Sequence, residues 1–300
     1  MKNIVDLQNK PDNVIILAAQ RELYSSAKRV FGFQFLFNVF VSVALAILAM
    51  FYEEITVYAA LYGIVFTIID IIGFIPLIDK TKRKAATLQD RYECAVLEID
   101  LSDLKEYEET AQDDISNYHH RHMKNPKNRE NLKNWYSEKI GPIQDDAVAT
   151  IICQRSNNWW DLKLKRRYIR WLWALLLFVL ITIIVLGVIR DIKLSEMILI
   201  LNALMPFFLF MYHELSSHYS AKNKLEHLQF FFENRINEIE AKTLDKSALP
   251  ALSRRIQDEL FEHRANGPLI PDWFYYKYRS IDQAEMDRIV GELIERVKKM

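Results

Sequence analysis

The sequence predicts an all-α membrane protein with four transmembrane helices, arranged as two hairpins, and a discontinuous helical cytoplasmic domain. Residues 171–189 (WLWALLLFVLITIIVLGVI) contain no charged residue, and about nineteen residues at ~1.5 Å each cross most of a ~30 Å hydrocarbon layer. The segment also has no polar face at the helical period, unlike a core helix of a soluble protein. Three further apolar spans, bordered by basic residues, complete the two hairpins.

The basic residues beside these spans predict how the spans are oriented in the membrane. The span at 171 is preceded by Lys163, Lys165, Arg166, Arg167 and Arg170. Short positively charged flanks stay on the cytoplasmic side, and Trp171 and Trp173 suit the headgroup boundary. The span therefore starts in the cytoplasm, and the other basic clusters put both termini there too.

These signals divide the chain into five segments. They are an N-terminal cytoplasmic helix at 1–32, a first transmembrane hairpin at 33–78, a cytoplasmic helical insert at 79–170, a second transmembrane hairpin at 171–212, and a C-terminal cytoplasmic helical segment at 213–300. In the first segment, Asp12 is expected to cap a helix that ends at Lys28 and Arg29.

The first hairpin turns at Glu53 and Glu54 and contains one intramembrane carboxylate, Asp70. A charge at that depth costs a few kcal/mol unless it is neutralised or faces water. One interpretation is a pore-facing or gating residue. The other is a capped or protonated Asp near the inner boundary, because Gly73 and Pro76 follow and could end the regular helix early.

The cytoplasmic insert continues the helix and then becomes charged around His119, His120 and His122. This cluster lacks the i, i+4 pair and acidic partner of a metal motif, so we expect no metal there. Asp145 or Asp146 is expected to cap the helix that leads into the second hairpin.

The second hairpin includes a fourth span, residues 194–212, that Asn202 and Pro206 interrupt. Asn202 joins Asp70 as a candidate pore or gating residue because polar groups at mid-membrane depth commonly mark function. Beyond it, the sequence predicts a long helix, a break near Pro250, and a turn at 265–271 between two further helices.

Composition and motifs argue against several classes of function. The 39 basic and 39 acidic residues cancel, which disfavours a general DNA or RNA binder. Phosphate-loop, GxSxG, HExxH and CxxC patterns are all lacking, so we expect no catalytic residue and no cofactor. Cys153 as a nucleophile is a weak alternative to a packed thiol.

The remaining chemistry is recognition of an anionic ligand with heterocyclic bases. Guanidinium groups bind phosphates and aromatic faces stack on bases. Such groups cluster as Arg155 with Trp159 and Trp160, as Arg21 with Tyr24, and as Arg254, Arg255, His263 and Arg264 with Trp273 and Tyr275. The alternative is that the aromatic residues form a helical core and the arginines pair with acidic residues.

Four segments of the sequence carry a family resemblance: LQNKPDNVIILAAQRELYSSAKR, LKNWY, ICQRSNNWWDLKLKRRY and SRRIQDELFEHRANGPLIPDW. They resemble the four-transmembrane effectors associated with nucleotidyltransferases that make cyclic oligonucleotides in bacterial anti-phage defence (CBASS-like systems). The resemblance implies a pore-forming or membrane-disrupting effector of the inner membrane that a cyclic nucleotide messenger activates. Among the matching positions and their neighbours, we assign ligand contact to Arg21, Tyr24, Gln154, Arg155, Trp160, Arg255, His263 and Arg264.

Two hypotheses follow. In the first, the cytoplasmic domain binds a cyclic oligonucleotide from a partner nucleotidyltransferase, and the protein, as a homo-oligomer in the lipid bilayer, permeabilises the inner membrane. In the second, the protein is a constitutive membrane scaffold, channel or transporter-like protein without nucleotide gating. A transporter usually needs more helices and more polar residues at mid-membrane than this sequence has, so the first is favoured.

Overall fold

The computed structural model describes residues 4–103, 105, 107–143, 145–243 and 245–298. Within these ranges the chain forms helices and no strand, which confirms the predicted all-α class. The α-helices are α1 (Ile4–Leu7), α2 (Pro11–Phe35), α3 (Ser42–Phe51), α4 (Glu53–Ile69), α5 (Ile75–Leu97), α6 (Gln112–Met123), α7 (Pro126–Glu130), α8 (Asp146–Ile189), α9 (Leu194–Ala203), α10 (Met205–Glu240), α11 (Leu249–Asn266) and α12 (Asp272–Lys298).

Membrane-spanning length occurs in three long helical stretches and one bent pair of helices. The stretches are Pro11–Phe51, Glu53–Leu97 and Asp146–Ile189, and the pair α9 and α10 bends by 55°. Each stretch contains far more residues than the ~20 that a bilayer requires. The excess extends out of the apolar zone as a helical framework, which we call the head.

The head is built by all four membrane-spanning elements together. A single hydrophobic core joins Leu17 of α2, Tyr92 of α5, Ile151 of α8, Phe232 of α10 and Ile256 of α11. Because both ends of each hairpin reach this one core, the feet of the two hairpins lie on the same side of the apolar zone.

Helix α2 differs from the sequence prediction at both ends. Lys10 occupies the N-cap position and Pro11 the first turn, so Asp12 lies within the helix and does not cap it. At the other end, α2 continues through Lys28 and Arg29. Basic side chains mark a boundary with lipid headgroups but do not break helical hydrogen bonding.

Two π-helical turns, Leu36–Val41 and Asp70–Phe74, interrupt the first hairpin. They face each other, because Gln34 donates a 2.9 Å hydrogen bond from Nε2 to Asp70 Oδ1. Gly73 and Pro76 therefore do not end the helix. A local change of helical winding takes their place, and such turns are common where a helix carries a polar group.

In the second hairpin, the first span is a continuous helix and the second span is broken into two helices. Asp145 caps α8 as predicted, since its side chain accepts hydrogen bonds from the backbone N–H groups of Ala147 and Val148, both at 3.2 Å. In the broken span, α9 ends at Ala203 and Pro206 lies in the first turn of α10. A proline at that position has no N–H to lose, which explains the predicted interruption.

Large apolar side chains cover the outer surface of the spans. They are exposed, as expected for side chains that face lipid, and include Phe40, Ile72, Phe178, Val188 and Ile198. Inside, small residues such as Ala46 and Ala59 let the helices approach closely.

Candidate ligand-binding site

A cavity of about 320 Å³ lies within the head, between α2, α8, α11 and α12. Its remaining walls come from α5, α6, α7 and α10, from the connection between α7 and α8, and from the turn after α11. A volume near 300 Å³ is at the lower end of ordinary small-molecule sites. We call this space the head cavity.

Five of the eight predicted ligand residues line the head cavity. They come from three separate helices: Arg21 and Tyr24 from α2, Trp160 from α8, and His263 and Arg264 from α11. The chain therefore brings together positions that are more than 240 residues apart in sequence.

The other three predicted ligand residues lie elsewhere. Gln154 donates from Nε2 to the Ser253 carbonyl oxygen at 2.9 Å. Arg155 is buried and pairs with Glu233 of α10 through Nε at 3.0 Å and Nη2 at 2.5 Å. Arg255 is exposed on α11. Arg155 is turned toward α10 on another side of α8. Gln154 shares the face of Asn157 and Asn158 but lies one turn before them, where Ser253 and Gln257 of α11 bind its side chain.

The candidate pore residues occupy the interior of the membrane part. Asp70 is buried among the spans and is held by Gln34. Asn202 is half-buried at the end of α9, where its backbone meets Gly63 of α4 so closely that a Cβ on Gly63 would lie 2.1 Å from the Asn202 carbonyl oxygen. A pore or gating role for either residue stays a prediction.

Three of the cations around the head cavity are neutralised by carboxylates. Lys28 Nζ lies 2.6 Å from Asp272, Lys165 Nζ lies 3.5 Å from Asp161, and Arg264 Nη1 lies 2.5 Å from Glu93. Burial alone would raise the pKa of Asp161, but Lys165, His263 and Arg264 hold that pKa well below its usual value. Asp161 is therefore a carboxylate at neutral pH and fixes its neighbours.

Arg21 is different, because no carboxylate pairs with it among the described residues. Its Nε atom is buried without a hydrogen-bond partner in that part of the chain, and its guanidinium carbon lies 5.1 Å from the ring centroid of Trp135. Burial lowers the pKa of Arg21, and Arg279 nearby acts in the same direction. A desolvated cation with no counter-charge is costly unless an anion joins it.

Other cavity-lining side chains also carry buried polar atoms with no hydrogen-bond partner among the described residues. They are Gln20 Oε1, both ring nitrogens of His122, Trp135 Nε1 and Asn158 Oδ1. Most buried polar atoms in native proteins are hydrogen-bonded, so a group of exceptions around one space needs an explanation. A polar ligand in the head cavity would supply the partners.

Aromatic rings provide stacking surfaces beside these polar groups. Tyr24, Trp135, Trp160, Tyr275 and Tyr276 all line the head cavity. The ring centroids of Trp160 and Tyr275 are 6.2 Å apart and inclined by 48°. Rings that are not packed face to face leave room for a planar heterocycle, and stacking on such rings does not depend on base identity.

Several cavity residues escaped the sequence analysis as ligand candidates, notably His122, Trp135, Asn157 and Arg279. A helical-face argument could have found Asn157, since Asn157, Trp160, Asp161, Leu164 and Lys165 follow the i, i+3, i+4 pattern along α8. Trp135 belongs to the LKNWY segment that carries the family resemblance, but no helical periodicity marks it as a ligand residue, because it lies in a connection between helices.

The described residues offer little for metal or covalent chemistry. None of their His, Cys, Asp and Glu side chains form a group of three that could hold a metal ion. His122 is buried whereas His120 is exposed, so the histidine cluster does not converge. Burial raises the pKa of the Cys153 thiol well above its usual value, which disfavours the nucleophilic thiolate.

Comparison with known proteins agrees with the resemblance found in the sequence. The family model described as "SMODS-associating 4TM effector domain" matches residues 2–293. A probable CBASS effector molecule of Bacillus cereus (strain VD146) is 23% identical over 293 residues, covering 95% of this chain and 96% of the relative. No solved structure matches the chain. Because the family model extends over nearly the whole chain, this protein belongs to the SMODS-associating 4TM effector domain family.

Proposed function

We propose that this membrane protein is a defence effector that binds a cyclic oligonucleotide in the head cavity and then permeabilises the bacterial inner membrane. The observation that carries the proposal is Arg21, a half-buried arginine that pairs with no carboxylate among the described residues, has a buried Nε atom without a hydrogen-bond partner there, and lies over Trp135. A phosphate on Arg21 would offset its desolvation, and a base beside it would find an aromatic face.

Charge around the head cavity supports an anionic ligand. Its lining includes six Lys and Arg side chains and two Asp side chains. Three of the six are committed to carboxylates, which leaves Arg21, Lys133 and Arg279 for the ligand. Arg279 donates to the amide oxygen of Asn131, which keeps its charge available. This surplus of positive charge suits a ligand with two or three phosphates.

Continuous helices connect the head cavity to the membrane. Arg21 and Tyr24 lie on α2, which runs into the first span, while Trp160 and Lys165 lie on α8, which runs into the third. A ligand that draws α2 and α8 together would change the angle between their membrane segments directly. To shift the closed and open populations usefully, it must favour the open state by a few kcal/mol.

An open pore requires several copies of the chain. Four spans enclose little space of their own, so the proposed active form is a homo-oligomer, most simply a closed ring. The head and both termini are proposed to lie in the cytoplasm, because the basic flanks at Lys80–Lys84 and Lys163–Arg170 border the spans on that side.

Dye release from liposomes tests the proposal. Full-length protein is reconstituted in phosphatidylethanolamine and phosphatidylglycerol vesicles loaded with a self-quenching dye, and cyclic di- and trinucleotides are added one at a time. We expect release with one or a few of these compounds and none with the corresponding linear nucleotides. Equal release without any nucleotide would support the constitutive channel, and indifference to the whole panel would contradict cyclic-oligonucleotide sensing.

A further inference from the structure

A second cavity, of about 260 Å³, lies where the helices leave the head and enter the apolar zone. It opens between α2, α8 and the start of α12, and its lining includes Lys28, Arg29, Gly32, Phe35, Trp171 and Trp273. We call it the boundary groove. Lys28 and Asp272 also line the head cavity, whereas Arg29, Gly32 and Trp171 line only the boundary groove.

The boundary groove is cationic at one end and apolar at the other. Lys28 and Arg29 lie at the head end, and Gly32 and Phe35 follow one and two turns further along α2. The distance from Lys28 to Phe35 along the helix is about 10 Å. On either side of Phe35, the side chains of Phe33 and Leu36 are exposed to the lipid zone. An amphiphile with an anionic headgroup and a hydrocarbon chain matches this change from cationic to apolar lining.

Arg29 has hydrogen-bond donors available for an anionic lipid headgroup. Its Nη2 atom donates to Glu22 at 2.9 Å and to Ser26 at 2.7 Å. Its other two guanidinium nitrogens make no hydrogen bond with the described residues. The Arg29 side chain is 64% exposed, so its pair with Glu22 is weak and a phosphate can bind beside it. The Asp272 carboxylate at the rim is neutralised by Lys28 at 2.6 Å.

The floor and walls fit an acyl chain. A Cβ placed on Gly32 would meet no atom within 4 Å, so the space above this glycine is open. Trp171 and Trp273 form the wall, with ring centroids 5.3 Å apart and rings inclined by 68°. Tryptophan side chains favour the level of the lipid headgroups. Basic pockets between membrane helices on the cytoplasmic side are a recognised type of anionic-lipid site.

We propose that the boundary groove binds one anionic glycerophospholipid, with its phosphate on Arg29 and an acyl chain over Gly32 and along Phe35. The proposal depends on the chain spanning a membrane and not on messenger binding in the head cavity. A lipid held there would keep α2 and the start of α12 at a fixed spacing.

The test compares wild type with one variant that fills the groove and one that removes its charge. Full-length protein in a neutral detergent is titrated with short-chain phosphatidylglycerol, with phosphatidylcholine of the same chain length, and with inorganic phosphate. Binding is measured by thermal shift and by native mass spectrometry. The variants are Gly32→Leu and Arg29→Gln. Gly73→Leu is the matched control, because a Cβ on Gly73 also meets nothing within 4 Å and this glycine lies outside the groove.

We expect phosphatidylglycerol to stabilise wild type and Gly73→Leu equally, and to bind Gly32→Leu and Arg29→Gln at least tenfold more weakly. Equal binding of phosphatidylglycerol and phosphatidylcholine would overturn the proposal, as would full stabilisation by phosphate alone. Unchanged lipid affinity in Arg29→Gln would also overturn it, even if Gly32→Leu failed to fold. Cyclic-nucleotide binding, measured on the same samples, reports separately on the head cavity.

Discussion

Arg264 of α11 donates a 2.5 Å hydrogen bond from Nη1 to Oε2 of Glu93 of α5, across 171 positions of sequence. Glu93 is fully buried. It also accepts hydrogen bonds from Gln257 Nε2 at 2.8 Å and Asn157 Nδ2 at 3.2 Å. One carboxylate thus ties α5, α8 and α11 together behind the head cavity. Although burial acts to lower the pKa of Arg264, Glu93 raises it above its usual value.

Replacing Glu93 should therefore destabilise the head. Glu93→Gln leaves the Arg264 guanidinium buried without its counter-charge, and breaking a buried pair in this way costs about 3–5 kcal/mol. Chemical denaturation of the full chain in detergent should show this loss. Glu262→Gln on the exposed face of the same helix α11 is the control and should change stability by less than about 0.5 kcal/mol. Comparable stability of the two variants would contradict the role assigned to Glu93.

Arg21→Met should separate stability from ligand binding. The substitution removes a half-buried charge that has no carboxylate partner among the described residues, and it loses a cation–π contact worth about 0.5–2 kcal/mol. We therefore expect the unliganded melting temperature to stay within a few degrees of wild type, while the shift caused by the activating nucleotide disappears. Arg255→Met, on the exposed side of α11, should keep that shift. A full nucleotide response in Arg21→Met would remove Arg21 from the proposed site.

Mild acid should destabilise the protein through His122. Burial, together with the charges of Arg21 and His119, lowers the pKa of His122 to about 4, and Glu22 is the nearby carboxylate, 3.8 Å from Nδ1. Because the folded pKa lies below the usual 6.5, the unfolded chain binds the proton first, and stability falls as the pH drops below 6.5. At pH 5 this effect amounts to about 2 kcal/mol.

His122→Gln removes that titrating group, so between pH 7 and pH 5 it should lose up to about 2 kcal/mol less stability than wild type. Denaturation curves at both pH values measure the difference. The window above pH 5 avoids most of the effect of carboxylates, which protonate at lower pH. Parallel pH profiles for the two proteins would show that His122 is already solvated or charged.

The stability of the membrane part should depend on the lack of a side chain at Gly63. A Cβ at this position would lie 2.1 Å from the Asn202 carbonyl oxygen and 3.3 Å from the Ala203 Cα, so Gly63→Ala must push α4 away from α9. Overpacking of this kind costs about 1–3 kcal/mol. A lower melting temperature in detergent is expected for Gly63→Ala but not for Gly73→Ala, whose Cβ would have open space. Identical melting of both variants would place the α4–α9 contact elsewhere.

Sequence reasoning predicted the membrane spans well because hydrophobic length is a local property. Residues 171–189 need no knowledge of their neighbours to be recognised. The continuation of α2 through Lys28 and Arg29 was less accessible, because charged residues are compatible with helix and the helix continues for tertiary reasons. The π turns at 36–41 and 70–74 lie beside the contact between Gln34 and Asp70, and no local pattern predicts either the turns or the contact.

In the candidate site, too, local sequence features were predictable and features that depend on tertiary packing were not. Arg21 and Arg155 are both arginines beside aromatic residues in sequence, yet one is unpaired at the head cavity and the other is bonded to Glu233. Only the packing of α8 against α10 separates these two outcomes. Trp135 was missed for a related reason, since it reaches Arg21 from a connection that helical periodicity does not describe.

Helix α8 runs for 44 residues from Asp146 to Ile189, about 66 Å, with neither proline nor a π turn between its ends. It has no joint at which the buried and lipid-exposed halves could move separately. A bilayer thinner or thicker than its apolar half would be matched by tilting, and that tilt must carry Trp160 and Asp161 with it. The composition of the surrounding membrane therefore becomes one of the quantities that set the shape of the head cavity.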